Sequence, residues 1–198
     1  MNRPLPLKKI LEALLFTMAE PVPIKILVKA FEPPLSRREI EEALLELKKD
    51  YLLENRAFEL VEVANGYQFR SKPDYAPWIK RLVSLRAPRL SRSAMETLSI
   101  IAYKQPITRV EIEQIRGVDS SSVLKTLLDR RMIRILGHKD APGHPLVYGT
   151  SKQFLEVFGL KSLSHLPPIE DIEENGSPAG EENPHPEMAD PLDTTVEA

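Results

Sequence analysis

The sequence predicts a mainly α fold with small β-hairpins, an α+β arrangement in which one unit occurs twice in tandem. Three observations predict it. Pro21-Val22-Pro23-Ile24 and Pro106-Ile107-Thr108-Arg109 occupy equivalent places about 85 residues apart. Each lies between an apolar helical pattern and a short second one. Each unit then continues through a third amphipathic helix into a pair of short strands. Helix-helix-helix-strand-strand is the order of a winged helix-turn-helix.

The elements follow in order. Leu7, Ile10, Leu11, Leu14, Leu15 and Met18 recur at helical spacing and give one apolar face. Pro21 and Pro23 end that helix and open the next, since proline fits only a first turn. The second helix spans Ile24 to Phe31 and stops at Pro33-Pro34. Ser36-Arg37-Arg38-Glu39 is a capping box. It starts a third helix that buries Ile40, Ala43, Leu44, Leu47 and Tyr51. Phe58 to Val63 and Tyr67 to Arg70 read as strands around Ala64-Asn65-Gly66, where Asn-Gly supplies positive φ for a hairpin. In residues 72–90, Trp78, Ile79, Leu82 and Val83 share a helical face. That helix, in a segment poor in Gly and Ser, predicts a restrained angle between the units.

The second unit opens near Pro88 and Ser91, with Ser93 as a further possible cap. Its first helix runs to Lys104 with Ala94, Leu98, Ile101 and Ala102 inward. Thr108-Arg109-Val110-Glu111 is another capping box, and Gly117 ends the helix it starts. Asp119 or Ser120 caps a third helix that buries Val123, Leu124, Leu127 and Leu128. Ile133 to Leu136 and Leu146 to Tyr148 are strands, with the wing from Gly137 to Pro145 between them. Ser151 to Phe158 forms a last helix. The expected divisions are residues 1–71 and 91–168 for the two winged-helix domains, 72–90 for a helical connector and 169–198 for an acidic, disordered tail.

The chain has 198 residues, no cysteine and a net charge of −2. The charge is unevenly spread. Residues 169–198 carry ten acids and no Lys or Arg, whereas residues 70–109 carry nine bases and two acids. The tail is too poor in large apolar groups to offset its chain entropy; it reads as a solubilising segment with no required partner. Lys8, Lys9 and Glu12 interrupt any signal-like apolar run, and no stretch is long and apolar enough to span a membrane.

The residues point away from catalysis. None of His138, His144, His165 and His185 has a carboxylate or second histidine at i+3 or i+4, so no metal site is expected. No Gly-rich phosphate loop or nucleophile motif is present, and Glu111 and Glu113 face different sides of a helix. No cofactor is expected. Sequence-specific DNA reading is also poorly supported. The third helix of the first unit has four bases and five acids, and that of the second begins with three serines, which read base edges weakly. Lys80, Arg81, Arg86, Arg89 and Arg92 could meet DNA nonspecifically. An acidic partner or the chain's own tail fits them equally well.

Several runs are distinctive. They are Leu90-Ser91 through Ile100-Ile101-Ala102-Tyr103-Lys104-Gln105-Pro106-Ile107-Thr108, then Ile115-Arg116-Gly117-Val118-Asp119-Ser120-Ser121 with Leu124-Lys125-Thr126-Leu127-Leu128. Lys139-Asp140-Ala141-Pro142-Gly143, Tyr148-Gly149-Thr150 and Phe158-Gly159-Leu160-Lys161-Ser162-Leu163 complete the set. Together they closely resemble segregation and condensation protein B, the ScpB family. The resemblance spans residues 7–168 and is looser in the first unit, through Leu11-Glu12-Ala13-Leu14-Leu15-Phe16. It implies a homodimer formed through the N-terminal domain and binding to the kleisin ScpA, which bridges the heads of the SMC ATPase. It further implies a cytoplasmic, nucleoid-associated, non-enzymatic scaffold in chromosome condensation and segregation. Two features depart from the family pattern: His138 and His144 stand where basic wing residues are expected, and the acidic tail lies outside it.

With that resemblance, the expected kleisin contacts are Tyr103, Lys104, Gln105, Pro106, Arg109, Lys139, His144 and Tyr148, by a helix-in-groove mode or by pairing with a wing edge. Tyr103 is either an aromatic anchor with a polar tip or a residue packed on its own wing. A winged-helix DNA-binding transcriptional regulator is the alternative function.

Overall fold

The computed structural model describes residues 5–83 and 90–168. Arg86, Arg89 and the tail expected at 169–198 lie outside them. In the first module, α1 (Leu7–Thr17), α2 (Ile24–Lys29) and α3 (Arg37–Leu53) precede a hairpin of β1 (Phe58–Val63) and β2 (Gly66–Ser71). In the second, α5 (Arg92–Lys104), β3 (Ile107–Thr108), α6 (Arg109–Arg116) and α7 (Ser121–Asp129) precede β4 (Ile133–His138), β5 (Leu146–Thr150) and α8 (Lys152–Val157). Between the modules lie a 3-10 turn at Pro73–Tyr75 and α4 (Ala76–Val83). This is the mainly helical winged-helix architecture that the sequence predicts.

The first core forms where the helical stripes meet. Leu11 and Leu15 of α1, Leu27 of α2, Ile40, Leu44 and Leu47 of α3 and Leu60 of β1 are all essentially inaccessible. Each such side chain contributes about 1.5–3 kcal/mol by leaving water. Ala43 and Tyr51, expected fully inside, are half-buried. The Tyr51 hydroxyl donates to Glu12 Oε1 at 2.7 Å; burial, then that carboxylate, push the phenol up to about 12. The capping box at the start of α3 forms as expected. Glu39 N donates to Ser36 Oγ, and Ser36 N donates to Glu39 Oε2 at 2.8 Å.

The first wing turns differently from the sequence reading. The two residues with positive φ are Ala64 (49°) and Asn65 (58°), while Gly66 already lies in β2, paired with Val63. Gly66 is needed for space instead: a Cβ there would lie 2.8 Å from the Val22 carbonyl carbon and 2.9 Å from that of Pro21. This close approach lets Val22 exchange two 2.9 Å backbone hydrogen bonds with Tyr67. Holding alanine in the left-handed region costs about 1–2 kcal/mol.

In the second module, α5 is capped by Ser91, whose Oγ accepts from Ala94 N at 3.2 Å. Ser93, the further candidate, turns elsewhere. Thr108 and Glu111 complete their capping box, and Gly117 ends α6 at φ 71°. Ser120 does not cap α7. Asp119 Oδ2 accepts from Ser121 N at 3.2 Å, and the buried Ser120 hydroxyl meets Arg116 instead. The sheet has a third strand that the sequence did not signal: β3 pairs antiparallel with β5 in the order β3-β5-β4. β4 and β5 outrun their expected ends, with a bulge between Ile135 and Gly137.

The modules meet directly. The first wing tip docks on the segment after α8, where Ala64 N donates to Leu160 O and Asn65 N to Lys161 O, each at 2.9 Å. Val63 and Ala64 join the second module's core, together with Ile101, Leu127, Phe154 and Leu155. α4 is helical as expected, but Trp78 and Leu82 of its apolar face are 65% and 86% exposed.

Candidate partner-binding surfaces

The turn joining α5 to β3 carries four of the expected contact residues. Lys104 and Pro106 are exposed there, and Tyr103 is half-buried against the second core. Gln105 is a clasp within the fold. Its Nε2 donates to Ala102 O at 3.0 Å, and its Oε1 accepts from Thr150 N at 2.8 Å and from Thr150 Oγ1 at 3.1 Å. Gly149 makes room for that clasp, since a Cβ at 149 would stand 2.8 Å from Gln105 Oε1. Tyr148, opposite Ile107 and Ile135 on β5, is 7% exposed and serves the core rather than the surface.

Arg109 and Lys139 are partly exposed, but carboxylates of their own module hold them. Arg109 Nε donates to Glu113 Oε1 at 2.7 Å and its Nη2 to Asp119 Oδ1 at 3.1 Å. Lys139, on the second wing, donates to Glu111 Oε1 at 2.6 Å. That bond, with two from the Thr108 backbone and hydroxyl, holds the Glu111 carboxyl down at about 2. Glu111 and Glu113 thus act on different neighbours, as their spacing on the helix predicts. His144 stands exposed at the far side of the wing with φ 42°.

The described basic residues of the connection are solvent-facing. Lys80 and Arg81 are exposed on α4, and Arg92 extends into solvent 3.5 Å from Glu96. The start of α7 offers little to a phosphate, because the Asp119 carboxylate already occupies it. Sequence reasoning missed Arg116 altogether. Its guanidinium is 8% exposed and joins three elements, donating from Nη1 to Ser120 Oγ at 3.0 Å and from Nη2 to Ser93 Oγ at 2.8 Å. Arg116 ends a helix, where a cation is expected to complement the dipole, so nothing in the sequence marks it as buried.

An open apolar surface lies on the first module, beside α4. A groove of about 440 Å³ opens between the end of α1, the end of α3, the base of the hairpin and α4, lined by Leu15, Met18, Tyr51, Phe58, Phe69 and Ile79 among others. Phe16, 75% exposed, and half-exposed Met18 and Phe58 surround it. Among the described residues, no group of three His, Cys, Asp or Glu side chains could hold a metal ion. No described helix is long and apolar enough to cross a membrane.

Comparison with known proteins places the chain. The family model of the segregation and condensation complex subunit ScpB matches residues 9–169. The chain belongs to the ScpB family. It is 52% identical over 168 residues to segregation and condensation protein B of Syntrophotalea carbinolica, covering 85% of this chain and 84% of that one. The segregation and condensation protein B homolog of Coxiella burnetii is 48% identical, with 83% and 79% covered. Among solved structures, ScpB from Mycobacterium tuberculosis is 30% identical with a TM-score of 0.36, covering 77% of this chain and 94% of that chain. A structure described as the dimer of an ScpB N-terminal domain complexed with an ScpA peptide is 31% identical with a TM-score of 0.38. It covers 43% of this chain and all of that one.

Proposed function

We propose that this chain is the scaffold subunit of a bacterial SMC complex. In this role it dimerises through its first module, residues 1–71, and binds the kleisin ScpA. It thereby supports chromosome condensation and segregation in the cytoplasm, at the nucleoid, without catalysis of its own. What is said of the related N-terminal domain, a dimer holding an ScpA peptide, is proposed here for this protein. The observation that carries the reading is the apolar face of the first module. Aromatic and aliphatic side chains cluster there around an open groove, and monomeric proteins rarely leave contiguous apolar patches of this kind uncovered. A twofold partner using the same patch on both subunits would cover such a face.

In the second module, the exposed residues of the α5–β3 turn and of the wing are the proposed kleisin contacts: Lys104, Pro106 and His144, with Tyr103 at their edge. Gln105 and Tyr148 act indirectly by shaping that surface. Lys80, Arg81 and Arg92 supply at most a weak, nonspecific contact with DNA. The test is co-elution with the ScpA-like subunit of the same genome at micromolar concentration. Co-elution is expected; two separate peaks would overturn the kleisin reading.

A further inference from the structure

We propose that the first wing is an internal latch, which locks the two winged-helix modules into one orientation and leaves the second wing as the one open to partners. Four observations support it. The amides of Ala64 and Asn65 sit at the hairpin tip, where the turn itself provides them no partner. Both donate across the junction, to Leu160 O and Lys161 O. Ala64 adopts φ 49°, a conformation that glycine or asparagine takes more readily, yet the residue is only 3% exposed and lies in the second module's core. The alanine is therefore explained by what it docks into rather than by the turn it makes. Side chains ring the same junction. Lys161 Nζ lies 2.8 Å from Glu62 Oε2, Arg70 Nη2 donates to Glu156 O at 3.1 Å, and Lys152 Nζ donates to Pro21 O at 3.2 Å. Finally, the α1–α2 turn is pinned to the hairpin by the Val22–Tyr67 pair and the close approach at Gly66, so helices and wing of the first module are held together at the dock.

A wing engaged in this way cannot also reach a nucleic acid or an extended peptide. The wing between β4 and β5 makes no such contact with the first module among the described residues. Partner binding at the second wing and the placement of the first module are therefore mechanically joined, whichever macromolecule binds.

The chain contains no cysteine, so a Lys48→Cys/Lys125→Cys pair on exposed positions of α3 and α7 takes spin labels cleanly. Diluting the labelled chain into an excess of unlabelled protein leaves only distances within one chain. A single narrow distance is expected, and it should be lost in an added Ala64→Asp variant, which sets a carboxylate in the apolar dock. A broad distribution in the unsubstituted latch would overturn the proposal, as would an unchanged distance in a folded Ala64→Asp protein. Hydrogen exchange on the wild-type chain decides the matter without any variant. The Ala64 and Asn65 amides should exchange at least about a hundredfold slower than an unstructured chain; exchange at the unprotected rate sinks the latch.

Discussion

At position 149 a missing side chain decides where another one goes. Gln105 reaches Thr150 only because Gly149 leaves the space that a Cβ would take, 2.8 Å from the glutamine oxygen and 2.7 Å from Leu136 Cδ1. Gly149→Ala should displace the clasp and leave the Thr150 amide without its partner. A loss of about 1–3 kcal/mol is expected, measured by urea denaturation. Glu111 gives a prediction in pH. Its folded pKa of about 2 lies below the ordinary 4.5, so its stabilisation is complete above about pH 4.5 and is lost as the pH falls toward 2. The side chain keeps 38% exposure, and solvent screening limits the contribution to about 1 kcal/mol. Glu111→Gln should be less stable than wild type by that amount at pH 7, with the gap closing below about pH 3. A gap of constant size across a series of denaturation curves would assign the loss to the cap geometry instead of the charge. Neither Gln105 nor Arg116 announces its structural role in the sequence. Both are polar residues at helix ends, a place where polarity is ordinary, and only the three-dimensional neighbourhood reveals their partners.

At the scale of elements, the helices were legible because their signals are local. Apolar residues at i, i+3 and i+4 and the two capping boxes act within one or two turns, and each helix they predict is present. Ser36→Ala should cost about 1 kcal/mol by exposing the Glu39 amide at the start of α3, and should lower the thermal midpoint. An unchanged midpoint would mean that tertiary packing alone sets that helix end. β3 was not legible, since two residues cannot display a period of two. Ala64-Asn65-Gly66 was legible as a turn but not in its register: asparagine and glycine both accept positive φ, and the contact that fixes glycine in the strand comes from Pro21 and Val22, about 45 residues earlier. The α4 stripe is helical as its periodicity predicts, but periodicity says only that a face is apolar, not that anything covers it.

For the whole molecule, the absence of catalytic spacing and the repeated winged-helix order pointed to a protein that holds others. The contact surfaces were less accessible to sequence reasoning. Residues chosen for the second module divide between exposed positions, such as Lys104 and His144, and structural ones, such as Tyr148, because a run that defines a family mixes packing with recognition. The first module's groove arises from α1, α3, the hairpin and α4 together, so no single segment displays it. Phe58→Asp should leave the core intact, since Phe58 is half-exposed, while halving the mass seen by light scattering. A dimer that survives the substitution would place the twofold contact on another face.

Trp78 is the chain's sole tryptophan, and it lies in water on the outer side of α4. Its indole emission therefore reports that face alone, without background from either core. In the isolated chain it should be red-shifted and readily quenched by iodide. Any molecule that settles over α4, whether a second subunit or a peptide, would shift it toward the blue, turning a simple titration into a map of occupancy.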